Sequence, residues 1–88
     1  MTTTTIVPIE TRVLQIVAEQ VGVPLDKVTR ASRLIADLSV DDLDLTEVAF
    51  QLEDEFEIML LDYDTLDACT TAGDLVDVVT RALAEKAS

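Results

Sequence analysis

The side chains able to do chemistry in this sequence are almost all carboxylates. Between residues 37 and 77 there are fourteen acids and no base, whereas residues 1–36 hold three acids and four bases. There is no histidine, so the commonest general base and the commonest transition-metal ligand are both missing. Two glycines cannot build a phosphate-cradling loop, and no serine or cysteine lies in a nucleophile motif. Paired acids can do acid–base work inside a cleft, but on a chain of net charge −12 they read as solvated surface. Asp42, Asp44, Thr46 and Glu53 have the spacing of four ligands of a calcium loop. Glu47 stands where that loop needs a glycine for its sharp turn, so the segment reads as helix and no metal site is assigned. The lone Cys69 excludes an internal disulfide and reads as a small apolar residue. An enzyme is not expected.

Carboxylates without an active site can still meet cations. A charge of −12 disfavours nucleic acid and anionic membranes, both of which would repel it, and suits a partner with a basic surface. No apolar run approaches membrane-spanning length, and the Met-Thr-Thr-Thr-Thr start lacks the basic and apolar regions of a signal peptide. The expectation is a cytoplasmic monomer with no membrane insertion.

The elements that must carry these acids follow from apolar spacing. The chain has 88 residues, 49% of them apolar but only three aromatic (Phe50, Phe56 and Tyr63), which leads to one aliphatic core. Residues 1–7 read as a tail and residues 8–86 as a single domain. Pro8 suits the first position of a helix, and Ile9, Val13, Ile16, Val17 and Val21 give that helix an apolar face ended by Gly22 and Pro24. Residues 23–41 form a long connection with a short turn near residues 25–28. Its Leu25, Val28, Leu34, Ile35 and Leu38 are expected to pin it to the helices. A second helix starts within Ser39-Val40-Asp41-Asp42, with Leu45, Val48, Ala49, Leu52 and Phe56 inward. Another short turn follows over residues 62–66. The last helix starts near Thr70 or Thr71, with Asp74 closing a capping box and Leu75, Val78, Val79, Ala82 and Leu83 inward. Gly73 in its first turn counts against helix formation there. Three longer helices and one short one make an all-α four-helix bundle. Its core is expected to include Val13, Val17, Val21, Leu45, Val48, Leu52, Phe56, Leu75, Val78, Val79 and Leu83.

Helical periodicity also leaves something over. Leu43 and Phe50 lie on one line of the second helix, opposite Leu45 and Leu52, and are framed by Asp44, Glu47, Asp54 and Glu55. Periodicity alone allows a solvated face with two stray apolar residues. It equally allows a docking face of apolar anchors inside an acidic rim.

The stretch Asp37-Leu38-Ser39-Val40-Asp41-Asp42-Leu43-Asp44, then Glu47, then Leu52-Glu53-Asp54-Glu55-Phe56, resembles the acyl carrier proteins. The family's corresponding stretch reads Asp-Leu-Gly-x-Asp-Ser-Leu-Asp, then Glu, then Leu-Glu-Glu-Glu-Phe. Arg12-Val13, Glu19-Gln20-Val21-Gly22-Val23, Val28-Thr29 and Cys69-Thr70-Thr71 extend the likeness over roughly residues 10–83. The resemblance implies a carrier whose serine at the start of the second helix bears 4′-phosphopantetheine, with acyl groups held on that arm as thioesters in fatty acid or polyketide synthesis. It also implies acidic contacts with synthases, acyl-transfer enzymes and the phosphopantetheinyl transferase, through Asp41, Leu43, Asp44, Glu47, Phe50, Glu53 and Asp54. That favours the docking reading of the outward line.

One departure bears on function. The position of the family's phosphopantetheine serine falls on Asp42, and a carboxylate cannot form the phosphodiester. No arm is therefore expected at Asp42. Ser39 falls on the family's glycine, three residues early, and reads as a cap; Thr46 lies a turn into the helix. The alternative reading is an acidic interaction or regulatory module without acyl chemistry, which docks basic proteins through the same helix.

Overall fold

The computed structural model describes residues 8–59 and 66–87. It contains helices α1 (Ile9–Val21), α2 (Asp42–Phe56) and α3 (Ala72–Ala87), with a 3-10 turn at Leu25–Lys27. The fold is all-α, as expected, and no β-strand occurs among the described residues. The turn expected at 62–66 lies outside them apart from Leu66, which is buried.

Chain chemistry accounts for each helix end. Pro8 sits one residue before α1 rather than at its first position, and its carbonyl accepts from the Arg12 N–H at 3.0 Å. Gly22, at φ 76°, closes α1 in the left-handed region, which a residue without Cβ enters freely. At the start of α3, Thr71 Oγ1 accepts from the Asp74 N–H at 3.2 Å. Asp74 Oδ2 accepts in return from the N–H groups of Thr71 (3.0 Å) and Thr70 (2.8 Å). Those donors, Thr71 before Thr70, hold the Asp74 carboxyl below its ordinary range.

α1 packs against both α2 and α3. Val13, Val17, Val48, Leu52, Leu75 and Val79 are buried as expected; Val21, Leu45, Phe56, Val78 and Leu83 are half-buried and pack against that core. The connections add Val28, Leu34, Val40, Ile58 and Leu66. Two loop residues expected to pin the connection do not: Leu25 is 40% exposed and Ile35 77% exposed. The cause is local. Arg33 and Thr71 form an isolated antiparallel bridge, the Leu34 N–H donates to the Thr70 carbonyl at 2.9 Å, and the Leu34 carbonyl accepts from Val40 at 2.8 Å. These bonds turn Leu34 into the core, and its neighbour Ile35 therefore faces out. The same seam accounts for Gly73. Its N–H donates to the Arg30 carbonyl at 2.9 Å, and a Cβ there would stand 3.0 Å from that oxygen.

Ser39 is not the cap of α2. It lies in the left-handed region at φ 58°, two residues before the actual cap. A non-glycine residue is strained there by about 1 kcal/mol. Ser39→Gly is therefore expected to stabilise the fold by about 0.5–1 kcal/mol, seen as a rise of a few degrees in Tm. A thermal melt with an unchanged or lower midpoint would count against this assignment of strain.

Candidate functional site

The start of α2 is built from carboxylates. Asp41 is the cap: its Oδ1 accepts from the Asp44 N–H at 2.7 Å, and Asp44 Oδ2 faces the Asp41 N–H at 3.4 Å. Asp42 is the first residue of the helix and is exposed. Three acids in this turn sit at the positive end of the helix dipole, where negative charge is favoured. Thr46 Oγ1 donates back to the Asp42 carbonyl at 2.9 Å. Beside them Asp42, Leu45, Thr46, Leu66 and Asp67 line a cleft of about 320 Å³. Its walls mix apolar side chains with the two carboxylates.

The outward line of α2 is where the spacing put it. Leu43 is 66% exposed and Phe50 52% exposed, while Asp41, Glu47 and Asp54 are exposed and Asp44 and Glu53 half-buried. All seven residues named from the family resemblance thus lie on α2 or at its cap and reach solvent at least in part.

Sequence reasoning missed Gln20, in the last turn of α1. Its Nε2 donates to Asp44 Oδ1 at 3.2 Å and to Glu47 Oε2 at 2.6 Å. Its Oε1 accepts from Gln51 Nε2 at 3.1 Å. The available signal was position: Gln20 is four residues after Ile16 and three after Val17, so an amide stands on the inward-facing stripe of α1. Further along the α1–α2 seam, Arg12 grips Glu55 with two bonds, Nε to Oε2 at 3.0 Å and Nη2 to Oε1 at 3.1 Å. That guanidinium holds the Glu55 carboxyl below its usual range.

Cys69 is half-buried against the core. Burial, with a smaller contribution from the charge of Asp74, pushes its thiol up to about 11. At neutral pH it is almost wholly protonated, and the thiol is a poor nucleophile compared with the thiolate. This matches its reading as an apolar filler. Among the described residues, no group of three or more Asp, Glu, Cys or His side chains is placed to hold a metal ion. No described helix is long and apolar enough to cross a membrane.

The phosphopantetheine attachment site family matches residues 11–79, which run from the first turn of α1 well into α3. The chain belongs to the phosphopantetheine attachment family. Its domains act in general as acyl carriers, partners of synthase and acyl-transfer enzymes rather than catalysts in their own right. The family's cofactor is 4′-phosphopantetheine. The side chain at the first position of α2, Asp42, carries no hydroxyl. Asp42 offers a carboxylate, Thr46 has its hydroxyl on the Asp42 carbonyl, and Ser39 lies in the strained turn before the cap.

Proposed function

We propose that this member of the phosphopantetheine attachment family is an acyl carrier-like protein of fatty acid or polyketide biosynthesis that engages carrier-dependent enzymes without being loaded at Asp42. Residues 8–86 are the working unit, acting as a cytoplasmic monomer; the tail expected over residues 1–7 lies outside the described residues. The partners are basic-surfaced synthases, acyl-transfer enzymes and the phosphopantetheinyl transferase. The supporting observation is the exposure of Leu43 and Phe50 on the acid-lined outer face of α2. Two large apolar side chains on one acid-lined helix face make a patch of the kind that marks an interaction surface, and a rim of like charge selects partners of opposite charge. Asp42 keeps a negative charge at the helix start while removing the oxygen that would bear the arm. Contact falls to Asp41, Leu43, Asp44, Glu47, Phe50, Glu53 and Asp54.

The test is competition. The native chain is expected to inhibit a broad-specificity phosphopantetheinyl transferase acting on a conventional, serine-bearing carrier. Leu43→Ala and Glu47→Lys should each weaken that inhibition about tenfold, and added salt should weaken it further. Inhibition that ignores both substitutions would remove α2 as the docking face. It would leave an acidic module that meets basic proteins by charge alone, without a link to acyl chemistry.

A further inference from the structure

We propose that Gln20 is a positioning residue of the docking face, whose amide gathers Asp44 and Glu47 into one preformed acidic fork for a basic side chain of the docked enzyme. The inference rests on the docking reading above. Asp44 and Glu47 are three residues apart on α2, so their carboxylates are neighbours that repel each other. The Gln20 Nε2 places one hydrogen on each, at 3.2 and 2.6 Å, and so draws the pair together. A lysine or arginine in this place would do the same but cancel the charge. A neutral amide gathers the two acids and leaves both charges for the partner.

The amide sits only one way round. Turned over, it would point Oε1 at two carboxylate oxygens and bring its Nε2 against the Nε2 of Gln51, which now donates to Oε1 at 3.1 Å. Asp44 is held from its other side as well, because its Oδ2 belongs to the capping box with Asp41. Gln20 itself rises from a helix anchored by Ile16 and Val17, which are 1% and 0% exposed. The fork is therefore mounted on two packed helices, and its side chains are ordered before the partner arrives. Ordering flexible side chains is one of the main costs of association, so a preformed fork binds more tightly than two free carboxylates.

The experiment compares inhibition of the same transferase by the native chain and by Gln20→Met, which keeps the length of the side chain and loses its donors. The inhibition constant is expected to rise about 3- to 10-fold. In a Glu47→Gln background the same Gln20→Met change should cost much less, because half of the fork is already gone. That non-additivity is a readout that a purely structural role of Gln20 would not move. If Gln20→Met does not fold, Gln51→Leu carries the test: it removes the bond that fixes the amide and should weaken inhibition in the same direction. Native inhibition that is lost with Glu47→Lys yet unchanged in Gln20→Met would overturn the role of Gln20 alone. An equal loss in both backgrounds would overturn it too, since Gln20 would then act elsewhere. No inhibition by the native chain would overturn the docking reading, and the fork with it.

Discussion

Asp42→Ser is expected to gain the mass of 4′-phosphopantetheine when incubated with coenzyme A and a broad-specificity phosphopantetheinyl transferase, while the native chain gains nothing. The scaffold around the residue is what makes the difference all-or-none. Asp42 is exposed at the first position of α2, and its side chain takes no part in the capping box, which Asp41 and Asp44 close by themselves. The substitution removes one charge from the positive end of the helix, at a cost of about 0.3–1 kcal/mol, and leaves the core untouched. A serine there would present a hydroxyl at a helix N-terminus, a place suited to a phosphodiester anion, with Leu43, Asp44 and Glu47 alongside for the transferase. Intact-protein mass spectrometry separates the outcomes. Gain by the variant alone means a carrier switched off at one side chain. Gain by neither means that the transferase does not engage this α2, which would count against the docking face. Gain by the native chain would place the arm on another hydroxyl, Ser39 being the first to test.

How far this could be seen in the chain itself depends on how local each cause is. The α1 face, the Gly22 terminus and the Asp74 cap were legible because helical spacing and capping act within a turn or two. The outward line of Leu43 and Phe50 was legible for the same reason. Asp42 stood out through the family resemblance rather than through any physical pattern, since aspartate is an ordinary residue at a helix start. What stayed hidden was set by contacts between distant segments. Leu34 and Ile35 are equally apolar neighbours, and only the bridge to Thr71 decides which of them is buried. Gly73 counted against a helix on propensity, yet the approach of Arg30 leaves little room for more than hydrogen. Gln20 reads as a polar interruption until α2 brings two carboxylates to it across 24 and 27 residues.

Leu52→Ala is expected to be the most damaging single substitution on α2, and Leu43→Ala, nine residues earlier on the same helix, close to silent in stability. The residue type and the atoms removed are the same; burial is not. Leu52 is 0% exposed and belongs to a core with few aromatic side chains able to move into a gap. Truncating it forfeits transfer energy and leaves a cavity, together about 3 kcal/mol. A domain of this size has a total stability of about 4–13 kcal/mol, so much of it goes with one side chain. Tm should fall by about 12–24 °C, and the urea midpoint should fall with no change in slope. A loss under about 1 kcal/mol would mean that the neighbouring chains collapse into the space, and that the aliphatic core is looser than its burial implies. Leu43, at 66% exposure, has little buried area to lose, and its truncation should stay within about 0.5 kcal/mol. Its effect should appear instead in competition for the transferase. The two substitutions thus separate the sides of α2: one leucine holds the helix to the protein, and the other is left for whatever the protein meets.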